Sequence, residues 1–170
     1  MASKMPPPRF VRSVLKSFMA ESGLEPRHKY DAHANKLRIT NAAESKVDFE
    51  LRITKDHTNR LQILHGGTIA SMVDFGGSLA VASMGLYATG VSTDLNVTYL
   101  GSGGKVGDII KATAVCDKIG KTLAYTTVTF WNQNGELAAR GSHTKFVAKA
   151  WEASPLFTPP DGAEIADKVD

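Results

Sequence analysis

Along residues 46–54, Val47, Phe49, Leu51 and Ile53 alternate with Lys46, Asp48, Glu50 and Arg52. A period of two with one greasy and one wet side predicts a strand in a sheet covered on one face. A weaker strand over residues 37–40 precedes it. The alternation returns at residues 91–100, with Val91, Thr93, Leu95, Val97 and Tyr99 on one face and Ser92, Asp94, Asn96 and Thr98 on the other. Further strands are predicted over residues 108–116, 122–131 and 136–148. Gly101-Ser102-Gly103-Gly104, Ile119-Gly120 and Asn134-Gly135 separate them, and the last is a strong hairpin signal.

The period changes to helical twice. Phe10, Val11, Val14, Leu15 and Phe18 predict an amphipathic helix over residues 8–22, begun after Pro6-Pro7-Pro8 and ended at Gly23. A second helix is predicted over residues 66–84. Ile69, Met72, Val73, Leu79 and Val81 surround much of it, which describes a buried helix. Its many Gly, Ala and Ser residues let a sheet wrap it closely. The order is therefore helix, two strands, one long buried helix, then a meander of four strands. One antiparallel sheet around one central helix is an α+β architecture, the hotdog fold. Residues 1–36 form an extension with its helix, residues 37–148 the domain, and residues 149–170 a proline-marked tail lying on the surface or disordered.

Composition narrows the function classes. A net charge of +3 with no dense Lys/Arg run excludes an ordinary nucleic-acid binder, yet suits a phosphate-bearing ligand. Cys116 is the one cysteine, so no disulfide forms within the chain and a reducing compartment fits. The longest apolar stretch, residues 69–86, is interrupted by Asp74, Gly76, Gly77, Ser71, Ser78 and Ser83, so no membrane span is expected. The first twenty residues carry Lys4, Arg9, Arg12 and Lys16 and no acid. This pattern suits a mitochondrial import peptide or a helix packed on the domain. The packed helix is preferred, because the segment is neither Ser-rich nor Arg-dominated. A cytoplasmic protein is expected, with mitochondria as the alternative.

Three positions stand out chemically. His65-Gly66-Gly67 opens the long helix, where free N–H groups and partial positive charge favour a developing anion. Gly66 allows a substrate oxygen close to its N–H, as an oxyanion site requires. Read alone, the same triplet is also an ordinary loop-to-helix turn. Asp74 falls in an apolar part of the helix, where a carboxylate is costly unless it is bonded. Gly101-Ser102-Gly103-Gly104-Lys105 lacks the spacing of a phosphate loop and joins two strands. No paired cysteines or closely spaced histidines suggest zinc.

His57-Thr58-Asn59, His65-Gly66-Gly67, Val73-Asp74, Gly90-Val91-Ser92 and Asn96-Val97-Thr98-Tyr99 occur in this order. Gly120-Lys121-Thr122-Leu123-Ala124-Tyr125 and His143-Thr144-Lys145 follow. Together they resemble the small acyl-CoA thioesterases of the phenylacetate-pathway type, and within them the thioesterase superfamily member two group. The resemblance covers roughly residues 45–148. It implies that Asn59, His65 and Gly66 surround the thioester carbonyl or sulfur. It implies that Asp74 orients or activates water, or attacks directly, and that Ser92 holds the water. It implies CoA contacts from Asp94, Tyr99, Lys118, Ile119, Gly120, Lys121, Thr122, Lys145 and Phe146, and no cofactor beyond the CoA of the substrate. Ser142 and Phe146 stand where the family often has basic or histidine residues. Phe146 would stack on adenine instead of bonding a phosphate.

Helical geometry adds a constraint. Nine residues from His65 to Asp74 span about 13 Å along the axis and about half a turn in phase. The two face opposite ways, so they share a site only if Asp74 comes from another subunit. The expected assembly is a homodimer with two equivalent shared sites, and the family implies a tetramer of two such dimers. Two rival readings keep the fold: a noncatalytic acyl-CoA sensor or scaffold, and a hydratase or dehydratase. A sensor binds without releasing thiol. A dehydratase alters the acyl chain and leaves the thioester intact.

Overall fold

The computed structural model describes residues 4–21, 37–163 and 165–166. Helix α1 (Pro7–Glu21) is followed by strands β1 (Arg38–Ala43) and β2 (Lys46–Arg52). Helix α2 (Gly66–Ser83) comes next, then strands β3 (Val91–Tyr99), β4 (Ile109–Ile119), β5 (Leu123–Trp131) and β6 (Leu137–Phe146). The sheet has the order β1-β2-β4-β5-β6-β3, and every neighbouring pair is antiparallel. Strand β3, although third in sequence, lies at the edge beside the last strand.

Buried positions of β2, β4, β5 and β6 face α2. Phe49, Ile110, Val128 and Phe130 form the sheet side of the core, and Ile69, Met72, Val73 and Leu79 the helix side. The close approach depends on missing side chains. A Cβ on Gly76 would stand 3.0 Å from Phe49 and Val128, and one on Gly77 would stand 2.5 Å from Nδ1 of His143. From the sheet, a Cβ on Gly141 would meet Val73 at 2.5 Å. The small residues of the central helix are thus needed to seat it.

The edges of several elements differ from the sequence pattern. Strand β4 continues to Ile119, through a bulge between Cys116 and Lys118. The Asn134-Gly135 turn is a five-residue loop, closed by a hydrogen bond from the Asn132 N–H to the Glu136 carbonyl at 2.9 Å. Ser22 and the expected helix stop at Gly23 lie outside the described residues.

The two extensions join the domain. Helix α1 buries Phe10, Val11 and Val14 completely, as its apolar spacing requires. The tail does more than lie over the surface. Phe157 meets Phe10 edge-on with ring centroids 5.5 Å apart, and its N–H donates to the Gly85 carbonyl at 2.9 Å. Its carbonyl accepts from the Met5 N–H, so the tail ties α1 to the end of α2. The segment that its prolines marked as loose is thus tied down through Phe157.

Strand β3 departs most from expectation. The alternation puts Ser92 and Tyr99 on opposite faces. The structure has a bulge between Ser92 and Asp94, which shifts the register by one residue. Ser92 and Tyr99 consequently both reach α2. Among the described residues β3 has no neighbour beyond β6, and it exposes Val91 (64%), Leu95 (39%) and Tyr99 (53%).

Gly77→Ala should lower stability by roughly 1–3 kcal/mol, because the added methyl overpacks the α2–β6 contact. Urea unfolding with an unchanged midpoint would show that the sheet tolerates a wider spacing.

Candidate functional site

The start of α2 is built from local contacts. The His65 carbonyl accepts the Thr68 and Ile69 N–H groups at 2.9 and 3.2 Å, and its ring Nδ1 accepts the Gly67 N–H at 2.7 Å. An accepting Nδ1 places the proton of the neutral ring on Nε2, which is left as an outward donor. His65 therefore caps the helix, and no described residue accepts from the neighbouring Gly66 N–H. The preceding loop is pinned beside this end. The Thr68 hydroxyl donates to the His57 carbonyl at 3.0 Å, and the His65 N–H donates to the same oxygen at 2.9 Å. Asn59 shapes the loop: its Oδ1 accepts the Leu61 and Ile63 N–H groups at 2.9 and 3.3 Å. Its side-chain NH2 is thereby left to donate. Tyr99, from the far end of β3, donates its hydroxyl to the Gly66 carbonyl at 2.8 Å and packs its ring against that glycine. The start of α2 is a cluster of donors.

A second cluster lies further along the helix. Asp74 is half exposed, with 52% of its side chain accessible, and does not sit in the apolar interior. The physical reason is its place on a stripe of less buried positions (Gly67, Ala70, Ser71, Asp74) running along α2 away from the core. Its Oδ1 accepts the Ser92 hydroxyl at 3.2 Å. The Ser92 oxygen lies 2.8 Å from His143 Nε2, and that nitrogen is 3.3 Å from Asp74 Oδ1. A carboxylate only accepts, so the single hydroxyl proton of Ser92 points to Asp74. Ser92 must then accept from His143, which puts the imidazole proton on Nε2 and leaves Nδ1 bare. Nδ1 is buried without a hydrogen-bond partner among the described residues.

His143 has no exposed surface. Burial lowers its pKa first, and the nearby charge of Lys145 lowers it further, against the opposing pull of Asp74 and then Asp94. The ring is held neutral, in the tautomer that the Ser92 bond requires. Sequence reasoning quoted His143 in a motif without giving it a role. Its parity along β6, shared with Ala139 and Gly141, was the available signal that it points inward.

The residues expected to contact CoA divide into two environments. Lys118, Gly120, Lys121 and Thr122 are exposed around the β4–β5 turn, with Ile119 partly accessible there. The Trp151 indole N–H donates to the Gly120 carbonyl at 3.2 Å. Asp94 and Phe146 are also exposed. Lys145 is separate: it is 3% exposed, and its ammonium donates to Ser78 Oγ of α2 at 2.9 Å.

The donor cluster and the Asp74 cluster remain apart within one chain. Eight residues of helix from Gly66 to Asp74 amount to about 12 Å. Tyr99 and Ser92, their respective partners, are near opposite ends of β3. Among the described residues no group of three or more His, Cys, Asp or Glu side chains could hold a metal ion.

The thioesterase superfamily model matches residues 61–139. A Schizosaccharomyces pombe protein named as a candidate esterase is 44% identical over 142 residues, which cover 83% of this chain and 84% of that protein. Acyl-coenzyme A thioesterase 13 of Homo sapiens is 42% identical over 111 residues, covering 65% of this chain and 79% of its own length. The crystal structure of zebra fish thioesterase superfamily member 2 superposes with a TM-score of 0.69 at 38% identity, over 80% of this chain and 96% of that one. With a relative 44% identical over most of both chains and a solved relative superposing over 80% of this one, the chain belongs to the thioesterase superfamily, with the hotdog fold.

Proposed function

We propose that this protein hydrolyses acyl-CoA thioesters to free acid and CoA, in sites each shared by two subunits. The observation that carries the reading is the division of labour along α2. One cluster (Asn59, His65, Gly66) offers donors, the other (Asp74, Ser92, His143) offers a carboxylate and its relay, and about 12 Å of helix separates them. Hydrolysis needs both at one carbon.

A two-fold axis beside β3 would unite them. The stripe Gly67, Ala70, Ser71, Asp74 runs between the clusters on the less buried side of α2. Two such stripes packed antiparallel would bring each donor end to the partner's Asp74. The edge of β3, unpaired among the described residues and exposing Val91, Leu95 and Tyr99, supports the same pairing.

In the assembled site the thioester oxygen accepts from the Gly66 N–H and the Asn59 amide, with His65 Nε2 as a further donor. On the opposite face a water donates to Asp74 and is steadied by Ser92. The water oxygen attacks the carbonyl carbon as its proton passes to Asp74. The tetrahedral oxyanion collapses, the carbon–sulfur bond breaks, and the proton held by Asp74 goes to the departing thiolate. His143 keeps the Ser92 hydroxyl turned towards the carboxylate throughout. In this reading Lys118, Ile119, Gly120, Lys121 and Thr122 meet the CoA phosphates from the accessible β4–β5 turn, with Phe146, Asp94 and Tyr99 contributing at the nucleotide and pantetheine. No cofactor is required by this sequence of steps.

Asp74→Asn keeps the shape and removes the base. It should lower kcat for acyl-CoA by about a hundredfold to ten-thousandfold while binding survives. A folded variant with normal thiol release, followed with a thiol reagent, would sink the catalytic assignment.

Asp74→Asn and Asn59→Ala chains, unfolded and refolded together, test the shared site. A mixed dimer has one site carrying both lesions and one carrying neither. With random pairing, about a quarter of wild-type sites should return. Demonstrated subunit exchange with no regained activity would place each site within one chain.

A further inference from the structure

Lys145 lies in an unusual place for a lysine. It follows His143 by two residues on β6, and both side chains point inward. They reach α2 at positions four residues apart: His143 at Asp74, and Lys145 at Ser78. On a helix that interval is one turn, so Asp74 and Ser78 share a face. Across the sheet Lys145 is paired with Ser92, which itself donates to Asp74. The ammonium is thus next to the carboxylate relay on both the helix and the sheet side.

A buried cation is expensive unless an opposite charge or a full set of acceptors compensates it. Ser78 provides one acceptor for three N–H donors. The opposite charge acting on Lys145 is Asp74, which raises its pKa against the stronger lowering by burial. Among charged groups, His143 also feels Asp94 from β3. Strand β5 contributes Thr126 to the same neighbourhood, with its hydroxyl donating to the His143 carbonyl at 2.8 Å, and no ionisable group there.

We propose that Lys145 is a positioning residue for hydrolysis, an internal counter-charge for Asp74 that also keeps the neighbouring His143 uncharged, and not a contact for the CoA phosphates. The inference rests on the function proposed above. Its chemistry is electrostatic. The Lys145 charge disfavours a second positive charge on His143, so the ring stays neutral and donates only through Nε2. A protonated ring would carry a second N–H on buried Nδ1 with no acceptor, and would pair with Asp74 across 3.3 Å. That pairing would draw the carboxylate away from the water.

The test is Lys145→Met, which keeps the length of the side chain and removes its charge. Wild type and variant are compared on an acyl-CoA and on the matching acyl-pantetheine, which lacks the nucleotide and its phosphates. The expected result is a kcat lowered roughly tenfold to a hundredfold on both substrates, with KM within about twofold of wild type. The acid limb of the kcat profile should move to higher pH. The sign follows from His143: removing a positive neighbour leaves Asp74 and Asp94 to favour its protonation, so the inactive form appears at higher pH. A KM raised for the acyl-CoA alone would make Lys145 a phosphate contact and overturn the proposal. Unchanged kcat and pH profile would overturn it as well. If Lys145→Met does not fold, Ser78→Ala, which removes the acceptor of the ammonium, is measured with the same readouts and the same criteria. Failure here is distinguishable from failure of the function itself. An active Asp74→Asn removes the hydrolase mechanism, whereas an inactive Asp74→Asn beside an unaffected Lys145→Met removes only the role of Lys145.

Discussion

The contact between α2 and the sheet is the constraint on which the remaining structure depends. Gly76 and Gly77 on the helix and Gly141 on β6 let the two surfaces meet without intervening side chains. Close packing is the immediate consequence, and core side chains such as Phe49 and Val128 fill the space that remains. The chemical consequence is larger. Only against a bare Gly77 can the ring of His143 come this close to the helix and bring Nε2 to Asp74 and Ser92. The same closeness carries the ammonium of Lys145 to Ser78. A core built from larger residues would have kept the polar groups of β6 away from those of α2.

Burial and exposure are then divided along a single helix. Most of α2 is enclosed, while Gly67, Ala70, Ser71 and Asp74 form its less protected side. Asp74 gains from this position. It is half exposed, yet it lies 3.3 Å from an imidazole that is wholly buried and held neutral. Groups in such unlike surroundings at hydrogen-bond distance are characteristic of acid–base sites. The edge strand β3 borders the same side of the helix, and its bulge turns Ser92 inward while Tyr99 remains against Gly66. One extra residue thereby links β3 to both polar clusters.

Chain order alone contained much of this design. The alternation at Val47–Ile53 and the apolar circumference of the second helix were enough for the sheet-around-helix architecture, because periods of two and 3.6 reflect local backbone geometry. The donor cluster was legible in part, for a related reason. His65 caps its own helix through Gly67, a bond that closes within two residues, whereas Asn59 entered only through the family resemblance and Tyr99 reaches Gly66 across 33 residues.

Tertiary structure decided the rest. Ser92 reaches Asp74 across 18 residues and His143 across 51. Such pairs form only when β3 docks on β6 in one register, and a bulge in that register reverses which face Ser92 presents. No periodicity in the sequence marks the bulge, so alternation placed Ser92 and Tyr99 on opposite faces. Lys145 reads in sequence as one more strand-end lysine, yet the inward parity of β6 makes it an interior charge. Asp74 reads as an acid within an apolar helix, yet its angular position leaves it half exposed. The sequence determined which elements form and which residues cap them, since those depend on neighbours in the chain. The partners of Asp74 were decided by strand register and helix rotation, which depend on residues far apart in the chain.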